Sequence, residues 1–213
     1  MTDEEINKAC NRMSANYIAH NRRNRRHNVN LKKNGITPFS YHISRKEKIQ
    51  ILSDWVDKYK DIDVFVETGT REGKTLLSMK DEFERLYSVE ISHKWYNKSI
   101  KQMKRAGNPE HIKIEMGDSL SFIPKVLEEV NDRCFIFLDA HGKHGTPVLD
   151  ELNIIFNHSI KDHVILIDDA YDFSRGHLNY PSIYQIRDLA IENGYNFIME
   201  NERAPEVMII YPQ

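Results

Sequence analysis

The most constraining feature of this sequence is the regular alternation of short apolar runs with longer amphipathic segments after residue 63. Each segment between two runs is long enough to hold a helix, and the runs are residues 64–66, 86–91, 112–116, 134–138 and 164–167. Near-continuous apolar strands separated by helices are typical of a parallel sheet covered on both faces. The sequence therefore predicts an α/β fold with a doubly wound, Rossmann-like sheet.

The last two apolar runs, residues 195–200 and 207–211, are joined by only six residues. Such a connection is too short for the right-handed crossover that links parallel strands. We therefore expect an antiparallel hairpin at the end of the sheet.

Size and composition favour one soluble domain. A chain of 213 residues can build a full hydrophobic core and carry an extension. No apolar run approaches the roughly 20 residues of a membrane span, and the acidic first residues lack the features of a secretory signal. The two cysteines, Cys10 and Cys134, are too few for a disulfide framework. We expect a cytoplasmic protein without a membrane partner.

Positive charge is concentrated in the N-terminal part of the sequence. Residues 1–50 contain eleven Lys and Arg against four Asp and Glu, a net +7, so the remainder carries −9. A predicted helix over residues 3 to about 28 runs into a basic cluster at residues 22–27. This cluster is either a solvated helix end or a patch for an anion or nucleic acid. The second interpretation is weakened because no aromatic residues alternate with the cations.

The turn after the first strand reads Glu67-Thr-Gly-Thr-Arg-Glu-Gly-Lys-Thr75. Gly69 permits a sharp turn close to a ligand, and Gly73 permits tight packing of the next helix. A phosphate-binding P-loop does not fit, because the loop is one residue short and Glu67 would face the phosphates. A dinucleotide fingerprint does not fit either, because Arg71 occupies the second glycine position. An acid at the strand end indicates a ligand with positive charge nearby.

Two further acids close the next strands. Glu90 ends the second strand, where a carboxylate in doubly wound folds accepts ribose hydroxyls. Asp118 ends the third strand, next to Ser119. One such acid is usually a strand-end or helix-cap residue, whereas three at consecutive strand ends indicate a nucleoside ligand.

These motifs resemble those of the class I S-adenosylmethionine-dependent methyltransferases, over about residues 45 to 213. The resemblance implies a seven-stranded sheet of order 3-2-1-4-5-7-6 with the last strand antiparallel, and S-adenosylmethionine as cofactor. It implies that residues 44–213 form the cofactor-binding domain and residues 1–43 a basic helical extension or lid. The implied cofactor-binding residues are Glu67, Thr68, Gly69 and Thr70 for the aminoacyl end, Glu90 for the ribose, Asp118 and Ser119 for the adenine, together with Gly73 and Asp139.

The ends of the fourth and fifth strands add Asp139, Asp168 and Asp169, which should face one crevice. Three converging carboxylates repel one another unless a cation neutralises them, and Mg²⁺ is the natural candidate. The spacing resembles that of metal-dependent O-methyltransferases, both the catechol type and those acting on sugar hydroxyls. That resemblance implies a metal that binds and activates the substrate oxygen. In the alternative interpretation, Asp139 belongs to the cofactor pocket and Asp168 or Asp169 caps a loop.

Several residues near these acids are catalytic or substrate-binding candidates. The catechol type places a lysine base three residues after its Asp, whereas here Lys143 stands four after Asp139. His141 or His144 is the alternative general base, because imidazole titrates near neutrality. The loop after the fifth strand, residues 171–181, supplies the acceptor-binding candidates Tyr171, Phe173, Arg175 and His177.

The sequence thus predicts an S-adenosylmethionine-dependent methyltransferase acting on an oxygen of a small molecule or sugar. A basic lid would favour an anionic acceptor, a nucleic-acid partner is disfavoured, and a homodimer stays open. Two alternatives remain, namely a P-loop-like nucleotide phosphotransferase and a non-catalytic, RNA-associated module that uses the basic arm.

Overall fold

The computed structural model describes residues 1–15, 45–141, 145–174, 179–200 and 207–213. The basic cluster at residues 22–27 lies outside the described residues, as do four of the site candidates: Lys143, His144, Arg175 and His177.

Strands and helices alternate along the chain. The strands are β1 (Val64–Thr68), β2 (Arg85–Glu90), β3 (Ile112–Met116), β4 (Phe135–Leu138), β5 (Val164–Ile167), β6 (Tyr195–Met199) and β7 (Met208–Pro212). The helices are α1 (residues 3–15), α2 (Arg45–Val56), α3 (Lys74–Ser78), α4 (His93–Arg105), α5 (Ser119–Val130), α6 (Val148–Asn157), α7 (Ala170–Ser174) and α8 (Ile183–Glu192). None of the described helices combines the length and the apolar character needed to cross a bilayer.

All seven strands form one sheet in the order β3-β2-β1-β4-β5-β7-β6. Strands β1 to β5 are parallel, and β7 lies antiparallel between β5 and β6. The predicted fold class, strand order and terminal hairpin are confirmed. Because β1 to β5 are parallel, their carboxyl ends meet at one edge of the sheet, which is where this fold binds ligands.

The alternation of side chains along each central strand divides the core into two layers. Val64 and Val66 of β1 face the first layer, which is covered by α5, α6 and α8, whereas Phe65 faces the second layer, which is covered by α2, α3 and α4. Strands β4 and β5 follow the same alternation and are buried throughout. Burial on both faces explains why these strands are continuous apolar runs in the sequence.

Helix α1 packs against the first core layer, next to α8 and strand β6. Ile6, Ala9 and Met13 of α1 are buried in the first layer of the core, and Asp3 forms an ion pair with Arg187 of α8. The amino group of Met1 donates to the carbonyl of Phe197 on edge strand β6 (3.2 Å). Residues 1–15 therefore pack on the folded domain at its β6 edge, whereas residues 16–43 of the predicted extension or lid lie outside the described residues.

The structure also differs from the sequence prediction after β5. The segment after β5 begins as helix α7, not as a loop. In α6, the N-cap position is Pro147, and the hydroxyl of the preceding Thr146 accepts the N–H of Val148 (3.2 Å). Thr146 still satisfies a free amide at the helix start, one position earlier than a standard N-cap.

Candidate functional site

The turn between β1 and α3 is packed tightly on both sides. Gly69 has φ +83°, and a Cβ atom there would lie 2.3 Å from the carbonyl oxygen of Asp139. Gly73 has φ +70°, and a Cβ atom there would lie 2.8 Å from Cε of Met103 on α4. Gly73 packs against a helix as predicted. Gly69 is required by contact with the end of β4, so its presence does not by itself indicate a ligand.

The backbone amides of this turn are already used within the protein. The N–H groups of Gly69 and Thr70 donate to the carbonyl of Val89 (3.0 and 3.1 Å). The N–H of Arg71 donates to Glu90 Oε2 (2.7 Å), and the N–H of Gly73 donates to the carbonyl of Thr70 (2.8 Å). A phosphate-binding loop needs such amides to point at its ligand. These four amides are therefore not available to a phosphate.

Glu67 is buried beneath the turn. The hydroxyl of Ser88 donates to Glu67 Oε2 (2.7 Å) and also lies 2.6 Å from the hydroxyl of Thr70. Burial raises the pKa of Glu67 to about 8, although the hydrogen bond from Ser88 opposes the rise. The Glu67 carboxyl is therefore mostly protonated at neutral pH, and an incoming cation would favour its ionisation.

The acids at the ends of β2 and β3 have local structural roles. The two oxygens of Glu90 accept the N–H groups of Arg71 and Ser92 (both 2.7 Å). Asp118 is the N-cap of α5 and accepts the N–H of Leu120 (2.7 Å). A carboxylate oxygen can accept more than one hydrogen bond, so these contacts leave both acids able to accept from a ligand as well.

Two cavities share Gly69 as a lining residue. The larger, about 420 Å³, is lined by Arg45, Lys48, Glu67, Gly69, Thr70, Arg71, Glu72, Lys74, Thr75, Trp95, Asp139, Asp168 and Asp169. The smaller, about 250 Å³, is lined by Gly69, Val89, Ile91, Gly117, Asp118, Ser119, Leu120, Ala140 and Pro147. Most of the predicted cofactor residues line one cavity or the other. Thr68, Gly73 and Glu90 do not line either cavity.

The three aspartates converge as predicted. One carboxylate oxygen from each of Asp139, Asp168 and Asp169 lies within 4.8 Å of the other two. Burial, followed by the charge of Asp169, raises the pKa of Asp168 to about 6, and burial raises the pKa of Asp139 well above its usual value. Asp169 has φ +54°, a conformation that costs about 1 kcal/mol or more for a residue with a side chain.

The cation of this site is Lys48 of α2, which no sequence motif identifies. Its Nζ donates to Asp168 Oδ2 and lies 3.9 Å from Asp169 Oδ1. Burial alone would lower the pKa of Lys48, but the three aspartates raise it above its usual value. In the sequence, Lys48 is one of several cations at the start of a polar helix, and no spacing distinguishes it.

His141 does not fit the predicted role of general base. Its Nδ1 lies 3.0 Å from the hydroxyl of Thr146, and its ring packs edge-on against Phe173 at 5.4 Å between centroids. Burial lowers the pKa of His141 to about 4, so the ring is neutral and weakly basic at pH 7. The ring also lies outside the lining of both cavities.

The described acceptor-binding candidates belong to the core. Tyr171 and Phe173 of α7 are 6% and 2% exposed and pack in the first core layer. Neither lines the two cavities. Because α7 turns these two rings into the core, they offer little surface to an acceptor in the described structure, and the acceptor-pocket assignment stays a prediction.

A second residue outside the predicted set, Glu151, lies in the first turn of α6. Its side chain is fully buried, and neither carboxylate oxygen has a well-formed hydrogen bond in the described structure. Burial raises the pKa of Glu151 to about 7, and the nearby hydroxyls of Ser119 and Thr68 only partly oppose this. Glu151 stands four residues before the core residue Ile155, on the same face of α6. This spacing is the sequence signal that could have identified it as buried.

Known proteins share this fold at low sequence identity. No family model and no curated protein matches the sequence. An O-methyltransferase from Bacillus cereus, solved with S-adenosylhomocysteine, is 16% identical over 99% of this chain and 92% of its own, with a TM-score of 0.57. TomG from Streptomyces achromogenes, solved with S-adenosylmethionine, is 10% identical over 86% of each chain, with a TM-score of 0.58. PaMTH1 from Podospora anserina, bound to S-adenosylhomocysteine, is 16% identical over 76% of this chain and 77% of its own, with a TM-score of 0.55.

The burial of Glu151 predicts a pH-dependent cost to stability. The folded protein keeps the carboxyl proton up to about pH 7, whereas the unfolded chain releases it near its usual pKa of 4.5. Stability is therefore lost as pH rises from 4.5 to 7. Glu151→Gln should raise the free energy of unfolding by up to about 3 kcal/mol more at pH 8 than at pH 4.5.

Urea unfolding of both proteins at the two pH values measures this difference. The matched control is Glu128→Gln, a change of an exposed glutamate on α5, which should alter stability equally at both pH values. A Glu151→Gln effect that is independent of pH would contradict the assignment.

Proposed function

We propose that this chain is an S-adenosylmethionine-dependent methyltransferase that transfers the methyl group to a hydroxyl oxygen of a small molecule or sugar. The observation that carries the proposal is the pair of cavities that share Gly69 as a lining residue, with the buried acid Glu67 in one lining and Asp118 and Ser119 in the other. This arrangement suits a ligand with a cationic amino-acid end and a nucleoside end. The fold shared with methyltransferases solved with this cofactor supports the same conclusion.

The smaller cavity suits the adenine. Ile91 follows β2 and is 74% exposed, and it lines this cavity together with Val89 and Leu120. An aromatic base would cover this apolar surface. Asp118 and Ser119 offer hydrogen-bonding groups at the edge of the same cavity. Glu90 at the end of β2 lines neither cavity, so its proposed contact with the ribose hydroxyls rests on the family resemblance.

The larger cavity suits the amino-acid end and the transferred methyl group. The cofactor's ammonium group would pair with Glu67, and its sulfonium charge would be stabilised by Asp139 near the carboxylate cluster. In the transfer, a lone pair of the acceptor oxygen forms a bond to the methyl carbon while the carbon–sulfur bond breaks toward sulfur. The acceptor's hydroxyl proton must leave to a base, either a carboxylate of the aspartate cluster that lines this cavity or solvent.

The rival phosphotransferase reading is disfavoured by two contacts. Lys74, the residue that would bind phosphates in a P-loop, forms an ion pair with Glu72. The turn amides that would cradle the phosphates donate to Val89 and Glu90 instead.

The carboxylate cluster fits a hard divalent ion. Asp139, Asp168 and Asp169 supply oxygen ligands within 4.8 Å of one another, and Asp168 Oδ1 is buried without a hydrogen-bond partner. A Mg²⁺ ion bound there would lower the pKa of the acceptor hydroxyl and orient it. Because Lys48 donates to Asp168 Oδ2, its ammonium group must leave Asp168 or share it.

Calorimetry with S-adenosylhomocysteine and with ATP tests the cofactor assignment. We expect binding of S-adenosylhomocysteine, and ATP should bind at least about 100-fold more weakly because the turn amides that donate within the protein are not available to its phosphates. Glu67→Gln should weaken S-adenosylhomocysteine binding by about 10-fold to 100-fold, since a hydrogen bond to a charged group is lost. Tight ATP binding without S-adenosylhomocysteine binding would refute the proposal.

Proton release gives this experiment a second readout. The carboxyl of Glu67, with its pKa of about 8, carries a proton at pH 7 and must lose it to pair with an ammonium group. Binding at pH 7 should therefore release close to one proton, seen by comparing buffers of different ionisation enthalpy. Glu67→Gln should abolish that release.

Metal dependence is tested by removing the ion and its ligands separately. We expect EDTA and Asp168→Ala each to reduce methyl transfer about 100-fold or more, with S-adenosylhomocysteine affinity nearly unchanged. Lys48→Met should tighten Mg²⁺ binding by at least about tenfold, because a competing positive charge is removed.

The matched control is Lys46→Met, an exposed neighbour on α2, which should leave Mg²⁺ affinity unchanged. If methyl transfer were fully active in EDTA but lost in Lys48→Met, the metal assignment would be contradicted. The ammonium group of Lys48 would then be the cation that the reaction requires.

A further inference from the structure

Helix α4 carries an uninterrupted basic face. Its 13 residues include no Asp or Glu, and its five exposed cations are Lys94, Lys98, Lys101, Lys104 and Arg105. Positions 94, 98, 101 and 105 follow one another at intervals of three or four residues, so they line one side of the helix. At a rise of 1.5 Å per residue, this row of charges is about 16 Å long.

Lys104 and Arg105 lie in the last turn of α4, where positive charge stabilises the helix dipole, but neither that effect nor ion pairing explains the whole row of cations. In the described part of the chain, Lys98 has a carboxylate partner, Glu72 Oε1 at 3.6 Å, whereas Lys94, Lys101 and Lys104 have none within 4.0 Å. Like charges three or four residues apart repel each other and destabilise a helix. A solvated helix face normally mixes both signs. The whole protein has a net charge of −2, so the basic face is a local feature.

The basic face leads to an aromatic ring at the mouth of the larger cavity. Trp95, in the first turn of α4, is half-buried and lines that cavity. Nζ of Lys98 lies 4.1 Å from the centroid of the indole ring, Nζ of Lys94 lies 5.0 Å away, and Cζ of Arg71 lies 5.5 Å away. An accessible ring surrounded by cations combines a stacking surface with charges for phosphates.

We propose that the basic face of α4, together with Trp95, binds single-stranded nucleic acid and leads it to the mouth of the larger cavity. Proteins that bind single strands pair a row of cations along the backbone with aromatic rings on which bases stack. The row from Arg105 to Lys94 supplies the cations, and Trp95 supplies the ring at its cavity end. The strand's 2′-hydroxyl as methyl acceptor would rest on the proposed function, whereas binding itself does not.

A nucleic acid fits this surface better than a membrane does. A helix that lies in a membrane surface needs a free apolar face beside its basic one. The apolar side of α4 is already used, because Met103 is buried in the second core layer. A single strand also suits Trp95 better than a duplex, because its bases are free to stack on the accessible part of this half-buried ring.

Fluorescence anisotropy of a labelled single-stranded RNA, about 12 nucleotides long, tests the proposal with the full chain. The test variant changes Lys94, Lys98, Lys101 and Arg105 to Gln. The control variant removes four exposed charges elsewhere, at Lys8, Lys60, Lys113 and Lys125. We expect the test variant to bind RNA at least about tenfold more weakly at 150 mM salt, and to lower the slope of log K against log salt by about 0.7 for each charge removed. The control should retain binding within about twofold.

The tryptophan supplies an independent readout. Trp55 is only 3% exposed, so quenching of tryptophan fluorescence by RNA should come from Trp95. Trp95→Leu should remove the quenching and weaken binding by about 5-fold to 150-fold. Thermal unfolding of each variant shows that it is folded.

Three results would overturn the proposal. The test variant could bind RNA as tightly as the unchanged protein, or the test and control variants could lose RNA affinity equally. The protein could also bind phosphatidylserine vesicles but not RNA. Loss of RNA binding only when Arg22, Arg23, Arg25 and Arg26 are changed to Ala would assign the binding to the basic cluster instead. S-adenosylhomocysteine affinity, measured in the same test variant, should be unchanged, so failure of the RNA proposal and failure of the cofactor proposal are separable.

Discussion

The site depends on how the protein holds three carboxylates together at the carboxyl edge of the sheet. Asp139 follows β4, and Asp168 and Asp169 follow β5, so the parallel register of these two strands brings them within 4.8 Å. Burying such charges together is unfavourable unless an opposite charge joins them. Lys48 supplies that charge from α2, 120 residues away in sequence. The ion pair therefore fixes α2 against the end of β5 and closes one side of the larger cavity, while leaving Asp168 Oδ1 without a partner.

A second network makes the neighbouring turn rigid. Glu90 accepts the N–H groups of Arg71 and Ser92, and Ser88 connects Glu67 with Thr70. The turn amides that donate within the protein are not available to a phosphate. The buried carboxyl of Glu67, in contrast, would ionise when a cation binds beside it. In the proposed site, electrostatics rather than the glycine pattern is therefore what favours an ammonium-bearing nucleoside over a nucleotide.

The fold could be predicted from the sequence because apolar runs of strand length and the short final hairpin leave few arrangements of a parallel sheet. The converging aspartates could be predicted for the same reason, since strand ends are fixed by the sheet. Lys48 and Glu151 could not, because a helix outside the sheet can direct any of its residues inward. His141 was misjudged because proximity in sequence to Asp139 does not reveal burial, which lowers the pKa of its ring to about 4. Asp118 has both the predicted position beside a cavity and the simpler role of helix cap.

The most direct test of this account is a crystal structure of the protein with S-adenosylhomocysteine and Mg²⁺. The account predicts the adenine against Ile91, the amino group beside Glu67, and the metal ion on Asp139, Asp168 and Asp169, with Nζ of Lys48 moved away from Asp168. A crystal structure obtained with S-adenosylhomocysteine in large excess that shows no ligand density in either cavity would contradict it.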